Sequence, residues 1–158
     1  MELIAISQKP EENEVFIKNP LCSDTINICI EFYKKVGFEK PWICYYVQQD
    51  GELIGSAAFK GRPVNGAVEI AYGVFEKYQQ RGIGTAICKM LVDLSLRTDP
   101  SVKITARTMP VENFSVRLLK KNNFVFAGTV NDPEDGEVWE WAYISDLGNV
   151  LPDESDFF

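Results

Sequence analysis

The pattern of hydrophobic and polar positions is clearest between residues 68 and 94. The run Val68–Phe75 is mostly apolar and predicts a strand, interrupted by the acidic Glu69. Beyond this run, apolar residues recur at spacings of three and four and predict an amphipathic helix. These residues are Ile83, Ile87, Met90, Leu91 and Leu94. The pattern therefore predicts a strand, a short turn and a helix in direct succession.

Strand-like and helix-like patterns alternate along the rest of the chain. Further strands are predicted at residues 2–6, 14–17, 42–48, 53–60, 102–108, 124–130 and 137–144. Further helices are predicted at residues 23–36 and 112–122. Phe114 is expected on the buried face of the second of these helices, and Asn123 is expected to end it in the left-handed conformation. The Asp50-Gly51 pair predicts a tight hairpin turn.

The turn between the central strand and helix contains Gly82 and Gly84. A helix N-terminus preceded by glycines binds phosphate through its free N–H groups and the positive end of the helix dipole. The expected contacts are Gln79, Gln80, Arg81, Gly82, Ile83, Gly84 and Thr85. A Rossmann fingerprint and a Walker A loop both fit poorly, because a third small residue and a Gly-Lys-Ser/Thr sequence are missing. The alternative is a strand-to-helix turn without a ligand.

The spacing Gln79-x-x-Gly82-x-Gly84 matches the pattern Gln/Arg-x-x-Gly-x-Gly/Ala. In this segment the chain resembles the GNAT superfamily of acetyl-CoA-dependent N-acetyltransferases, in which the segment binds the pyrophosphate of the co-substrate. The resemblance implies that acetyl-CoA is the co-substrate of this chain.

The resemblance extends from about residue 42 to about residue 144. Residues 113–124 are similar to the family segment that contains Asn, Ser, Leu, Lys and Gly-Phe, and the chain is most similar to the branch of ribosomal-protein N-terminal (alanine) acetyltransferases. The implied fold is an α/β GNAT fold with a mixed, mostly antiparallel sheet flanked by helices. We expect one such domain in residues 1–145 and an acidic tail in residues 146–158. Val74 and Asn113 are further expected co-substrate contacts.

Composition narrows the range of partners. The chain has 16 basic and 23 acidic residues, hence a net charge of −7 and a pI near 4.7. This charge argues against nucleic acid as a partner. It is compatible with a surface that attracts a cationic amine, and equally with one that only keeps the protein soluble. Neither a leader nor a membrane segment is apparent, and the spacing of the four cysteines indicates no metal site. We therefore expect a cytoplasmic protein with free, buried thiols.

The chain contains no histidine, so a general base must be a carboxylate, a lysine, a tyrosine or a water network. Glu69 is the first candidate, because an isolated carboxylate in an apolar strand should accept a proton more readily than an exposed one. Its position also matches the base of some GNAT enzymes. The alternative is an exposed Glu69, or one ion-paired with a residue such as Lys103 or Arg107. Glu140 is the second candidate for the base.

The resemblance also suggests how the reacting groups would be stabilised. A backbone N–H near Val74 is expected to bind the thioester carbonyl, with a β-bulge beside Gly73. The tyrosine that commonly protonates the departing thiolate is replaced by Leu119. Ser115 matches the serine proposed to contact the thiolate in the ribosomal-protein branch, although it is equally typical of an ordinary first-turn helix residue. Tyr72 is another possible proton donor.

The sequence thus predicts an N-acetyltransferase that moves acetyl from acetyl-CoA to a primary amine by direct transfer with a carboxylate base. A protein N-terminus, a small-molecule amine and an aminoglycoside remain open as acceptors. The rival hypothesis, which rests on Leu119, is a non-catalytic acyl-CoA-binding or sensing module. The chain is expected to act as a monomer or as a homodimer paired through its last, aromatic strand.

Overall fold

The computed structural model describes residues 1–145, and its centre is a seven-stranded sheet. The strands are β1 (Glu2–Ala5), β2 (Cys44–Gln49), β3 (Glu52–Phe59), β4 (Ala67–Val74), β5 (Lys103–Thr108), β6 (Phe124–Asp132) and β7 (Gly136–Tyr143). The helices are α1 (Glu14–Ile17), α2 (Ser23–Val36), α3 (Ile83–Thr98) and α4 (Phe114–Lys121). Single 3₁₀ turns cover Pro10–Asn13 and Glu76–Tyr78. The proposed tail, residues 146–158, lies outside the described residues.

The sheet has the strand order β1-β2-β3-β4-β5-β7-β6 and is antiparallel except between β4 and β5. The helix α3 makes the connection that parallel neighbours require. The predicted α/β fold with a mixed, mostly antiparallel sheet is confirmed. None of the helices within residues 1–145 is long and apolar enough to cross a bilayer.

The parallel strands β4 and β5 diverge halfway along their length. They pair only where Ala67–Ile70 lies opposite Lys103–Ala106. Beyond that point β4 stays with β3 as far as Val74, and β5 stays with β7 as far as Thr108. A gap therefore opens between the carboxyl ends of two neighbouring strands.

The direction of the hydrogen bonds shows which groups of β4 face the gap. The N–H of Phe75 donates to the carbonyl of Ile54 at 2.9 Å, and the N–H of Lys60 donates to the carbonyl of Glu69 at 2.8 Å. Odd-numbered residues of β4 therefore point their amide groups at β3. Even-numbered residues, including Tyr72 and Val74, point theirs into the gap.

Side chains of β4 alternate between the two faces of the sheet. Val74 approaches Gly84 of α3 and Tyr72 contacts Cys88 of the same helix, so even-numbered side chains face α3. Glu69 and the other odd-numbered residues face the opposite side. The core packs on both faces, and its largest fully buried side chains include Tyr46, Phe59, Phe124 and Ile87.

Two local predictions are confirmed by backbone geometry. Asp50 and Gly51 have φ of +53° and +80° in the turn between β2 and β3, as a tight hairpin requires. Asn123 ends α4 with φ of +67°. The four cysteines are free as expected, but Cys29 is only half-buried while the other three are buried.

The strand predicted at residues 14–17 is wrong, because Glu14–Ile17 forms the helical turn α1. The Asn13 side chain accepts a hydrogen bond from the Ser7 N–H at 2.9 Å and donates to the Ser7 carbonyl at 2.8 Å. These bonds hold the preceding turn folded, and Phe16 packs on Tyr46 with ring centroids 4.8 Å apart. Four residues are too few for periodicity to distinguish a strand from a helical turn.

Two further predictions near the gap are also wrong. Phe114 is 56% exposed instead of buried, because it lies at the open start of α4. The expected β-bulge beside Gly73 is absent from the ladder, since the register between β3 and β4 is continuous from Phe59–Ile70 to Gly55–Val74. Divergence from β5, and not a bulge, frees the amide of Val74.

The close approach of β3 and β4 makes Gly55 sensitive to substitution. Gly55→Ala should lower the free energy of unfolding by about 1–3 kcal/mol, because the new methyl group would lie 2.4 Å from the backbone oxygen of Gly73. Gly73→Ala is the control, since its methyl group would meet only the Ser56 hydroxyl at 3.7 Å. Urea denaturation measures both, and equal stability of the two variants would contradict this packing.

Candidate active site

A cavity of about 460 Å³ lies between the end of β4 and the N-termini of α3 and α4. We call it the loop cavity. Its lining residues are Tyr72, Gly73, Val74, Tyr78, Gln79, Gln80, Gly82, Ile83, Gly84, Phe114, Ser115, Arg117 and Leu118. It thus combines the free edge of β4 with the glycine-containing turn that the sequence indicates as an anion site.

The turn before α3 presents backbone donors to the loop cavity. Gln80 and Gly82 both have left-handed φ, at +65° and +75°, so the chain reverses just before the helix begins. No side chain within the described residues caps α3, and its first backbone bond runs from the Ala86 N–H to the Gly82 carbonyl at 3.2 Å. The preceding N–H groups therefore remain available at the positive end of the helix dipole. This geometry fits a pyrophosphate.

The close packing of α3 on α4 forms one corner of the loop cavity. A Cβ at Gly84 would lie 2.7 Å from the Leu118 Cδ1 atom, so only glycine allows this approach without displacing Leu118. The contact brings the first turn of α4, with Ser115, beside the turn that precedes α3.

Six of the predicted co-substrate contacts lie in the wall of the loop cavity. They are Val74, Gln79, Gln80, Gly82, Ile83 and Gly84. The Gln79 side chain donates to the Val74 carbonyl at 3.1 Å. It thereby ties the turn to the free edge of β4, and the Val74 N–H still points into the gap.

The other three predicted contacts lie outside the wall. The Arg81 guanidinium lies 5.8 Å from the centroid of the Tyr78 ring. The Thr85 carbonyl accepts a hydrogen bond from Asn122 at 3.3 Å. Asn113 caps α4 by accepting a hydrogen bond from the Val116 N–H at 3.2 Å, so its side chain orients the helix that carries Ser115.

A second cavity, of about 160 Å³, fills the gap between β4 and β5. We call it the carboxylate cavity. Its lining residues are Lys60, Glu69, Ile70, Ala71, Tyr72, Ala106, Arg107, Thr108, Ser115, Leu119, Asp132 and Asp135. Tyr72 and Ser115 line both cavities, so the two cavities meet at these side chains.

Glu69 lies in the carboxylate cavity within a network of charges. Its carboxylate is 3.4 Å from the Lys60 Nζ and 3.7 Å from the Arg107 Nε. The ion-paired alternative is therefore confirmed for Arg107 and wrong for Lys103, whose place is taken by Lys60. The expected isolated carboxylate is also wrong, because strands β3 and β5 bring cations beside it.

Arg107 connects Glu69 to the second candidate base and to the β6–β7 hairpin. Its Nε lies 3.3 Å from Glu140, and its Nη1 lies 2.9 Å from Asp132. The N–H of Glu134, the Arg107 guanidinium and the N–H of Asp135 lower the pKa of Asp132 to about 2. Asp132 therefore stays ionised at any pH near neutrality.

The residues at the junction of the two cavities differ in their ability to donate a proton. Ser115 is exposed on the first turn of α4 and lines both cavities. Burial raises the pKa of Tyr72 above its usual range, so this hydroxyl stays protonated. Leu119 is buried and lines only the carboxylate cavity, where it offers no proton.

Sequence reasoning missed several residues of both cavities. The missed residues are Tyr78, Phe114, Arg117 and Leu118 in the loop cavity and Lys60, Asp132 and Asp135 in the carboxylate cavity. Tyr78 immediately precedes the Gln79–Gly84 motif, and an aromatic residue beside a glycine turn could have served as a signal. No local signal indicates Asp132, because 25 residues separate it from Arg107.

A strand with free amides leads through a glycine turn to an uncapped helix, and the donors of this arrangement suit a pyrophosphate. Residues 16–124 match the Acetyltransferase (GNAT) family. The chain therefore belongs to the GNAT family. A comparison with curated protein sequences finds no match.

Solved structures with the same fold include several acetyltransferases. The aminoglycoside acetyltransferase AAC(6')-Ib in complex with coenzyme A is 26% identical, with a TM-score of 0.57. The match covers 66% of each chain, just under two thirds of that enzyme's length. RimL, a ribosomal L7/L12 α-N-protein acetyltransferase, is 18% identical over 91% of this chain and 93% of its own, with a TM-score of 0.65.

A third similar structure is a spermidine N-acetyltransferase chimera from Vibrio cholerae and hSSAT. It is 16% identical over 90% of this chain and 95% of its own, with a TM-score of 0.66. At such low identity, this structure and RimL show the shared fold.

Gly82→Glu should abolish micromolar binding of acetyl-CoA, because it places a carboxylate where the turn offers donors to a pyrophosphate. Gly66→Glu is a matched control: both glycines have similar positive φ, +75° and +77°, with open space beside them, but Gly66 precedes the far end of β4. Isothermal titration calorimetry measures the affinities. Equal binding by the two variants would contradict an anion site at Gly82.

Proposed function

We propose that the protein transfers acetyl from acetyl-CoA directly to a primary amine, with Glu69 as the general base. The observation that supports this most is that the loop cavity and the carboxylate cavity meet at Ser115 and Tyr72. A co-substrate in the first cavity and an amine in the second would bring their reacting atoms together there. Glu69 lies on the amine side of this junction.

The loop cavity supplies binding groups for the co-substrate, and acetyl-CoA supplies the acetyl thioester. The N–H groups at the start of α3, among them those of Ile83 and Gly84, bind the pyrophosphate. The free edge of β4 binds the extended arm as an added strand would bind. The N–H of Val74 donates to the carbonyl oxygen of the thioester, where negative charge develops during transfer.

The carboxylate cavity supplies the base. At pH 7 a lysine-like amine costs roughly 4–5 kcal/mol to neutralise and an α-amine only about 1–1.4 kcal/mol. Glu69 accepts the amine proton, directly or through a water molecule, so that the nitrogen lone pair is free to attack. The C–N bond then forms as the C–S bond breaks.

The departing sulfur needs stabilisation and a proton. Ser115 is the residue of α4 that faces both cavities, and its hydroxyl donates to the developing thiolate. A thiol with a pKa of about 8.5 leaves more easily than an alcohol, so this chemistry tolerates Leu119 in place of an acidic tyrosine.

The acceptor is a protein N-terminus or a small-molecule amine. Four carboxylates, those of Glu69, Asp132, Asp135 and Glu140, surround the two cations Lys60 and Arg107. The excess of negative charge favours a positively charged amine over an acidic one. The similar enzymes described above act on aminoglycosides, a ribosomal protein and spermidine, all of which offer such amines.

Glu69→Gln should lower kcat by about 10²- to 10⁴-fold, because glutamine fills the same space but accepts no proton. Binding of acetyl-CoA should not change, since Glu69 lies outside the loop cavity. Glu140→Gln is the control within the same network, and its kcat should fall much less. The assay follows CoA release with a panel of amines, and wild-type turnover there excludes a module that only binds acyl-CoA. If Glu140→Gln instead lowers kcat much more than Glu69→Gln, Glu140 is the base.

Ser115→Ala should lower kcat by about 10-fold or more, the loss expected when a hydrogen bond to a charged group is removed. Stability should not change, because Ser115 is exposed. Ser23→Ala is the matched control, since Ser23 is also an exposed serine in the first turn of a helix. If the kcat of Ser115→Ala is as high as that of Ser23→Ala, the hydroxyl of Ser115 has no part in transfer.

A further inference from the structure

Arg107 occupies the centre of the charge network on the face of the sheet that carries Glu69. From β5 it reaches carboxylates on three other strands: Glu69 on β4, Asp132 on β6 and Glu140 on β7. Its side chain is 28% exposed, so these contacts are shielded from solvent more than those of a surface ion pair. An arginine is suited to this position, because its planar fork can contact several carboxylates at once.

The contacts of Arg107 are unequal. The shortest is with Asp132, at 2.9 Å, and the longest is with Glu69, at 3.7 Å. Asp132 is also held by the N–H groups of Glu134 and Asp135, at 2.9 and 3.2 Å. The hairpin turn therefore fixes Asp132, and Asp132 fixes the guanidinium. Arg107 therefore has two other carboxylate partners besides Glu69, in Asp132 and Glu140.

This asymmetry matters for a residue that must change its charge during the reaction. A base that accepts a proton loses its attraction to a neighbouring cation. Asp132 and Glu140 would continue to balance Arg107 while Glu69 is neutral. The guanidinium would then remain in place beside Glu69 while the charge of Glu69 changes.

We propose that Arg107, held by Asp132, is a positioning residue that keeps a fixed positive charge beside the Glu69 carboxylate and orients this carboxylate towards the gap between β4 and β5. The proposal rests on the proposed role of Glu69 as the base. It adds a residue of β5, and a dependence on the β6–β7 hairpin, to a site otherwise built from β4, α3 and α4.

Other groups also face Glu69, and the test must separate their effects. Lys60 after β3, which also contacts Glu69, lines the same cavity as Tyr72 on β4, Ser115 on α4 and Asp132 and Asp135 of the β6–β7 hairpin, and Glu140 on β7 shares the ion network through Arg107. Lys60 is the other cation in contact, at 3.4 Å, and its side chain is 39% exposed. It is more accessible to solvent than Arg107, so water and salt screen its effect more strongly.

The experiment compares the pH profiles of kcat/KM for the wild type, Arg107→Met and Arg107→Lys. Each profile is measured with two amines of different pKa. A break in the profile that lies at the same pH for both amines reports a group of the enzyme and not the amine. Arg62→Met is the matched control, since Arg62 forms an exposed ion pair with Glu39 at 3.8 Å away from both cavities. Affinity for acetyl-CoA is measured in parallel.

Arg107→Met should lower kcat/KM for the amine near neutral pH and move the acid-side break of the profile, the pH below which kcat/KM falls, to higher pH. The sign follows because removing a cation raises the pH at which a nearby carboxylate ionises. In Arg107→Lys the acid-side break should lie close to its wild-type pH, because lysine keeps the positive charge. The affinity of Arg107→Met for acetyl-CoA should equal that of the wild type. The pH profile of kcat/KM for Arg62→Met should also equal that of the wild type.

A uniform loss of activity with an unmoved break would overturn the proposal, because a purely structural role gives that result. If Arg107→Met does not fold, Arg107→Gln tests the same point. It keeps a polar side chain at this position but removes the charge, so the break should move in the same direction. An unmoved break in this variant would equally overturn the proposal.

The proposal and the proposed function fail in different ways. Full activity of Glu69→Gln would remove Glu69 as the base, whatever the result for Arg107. Loss of activity in Glu69→Gln together with an unmoved break in Arg107→Met would leave the base in place and reject only the role of Arg107.

Discussion

The pairing of backbone amides in the central sheet is the constraint on which the rest of the site depends. Each strand must find partners for its N–H and carbonyl groups, because unpaired buried groups are costly. Strands β4 and β5 satisfy this requirement together only as far as Ile70 and Ala106. Beyond that point each strand keeps a single neighbour, and the even-numbered amides of β4 are left to face a cavity. Both cavities, Ser115 at their junction and the position of Glu69 follow from this divergence.

Much of this architecture can be predicted from local sequence. The run Val68–Phe75, the glycines 82 and 84 and the helical repeat after them lie within a short segment, so periodicity and turn chemistry identify them directly. The hairpin at Asp50-Gly51 and the left-handed Asn123 are local in the same sense. Six of the nine predicted co-substrate contacts lie in the wall of the loop cavity, because they belong to this one continuous segment or to the strand before it.

The parts that could not be predicted depend on contacts between distant residues. The sequence shows Glu69 as one acidic residue in an apolar strand, but strand order decides that Lys60 and Arg107 lie beside it. Phe114 fits a helical apolar pattern, yet the divergence of β4 and β5 leaves it facing a cavity. The turn α1 is a different case: it depends on a nearby side chain, Asn13, that bonds to Ser7, and four residues are too few for their pattern to indicate a helical turn.

The two cavities differ in the face of the sheet that each uses. The loop cavity lies with the side chains of Tyr72 and Val74 on the face of α3, and the carboxylate cavity extends through the gap to the face of Glu69 and Arg107. A continuous β-sheet separates its two faces, because hydrogen bonds join neighbouring strands along their length. The divergence of β4 and β5 removes this barrier at one place, so that side chains from both faces of the sheet line one connected space.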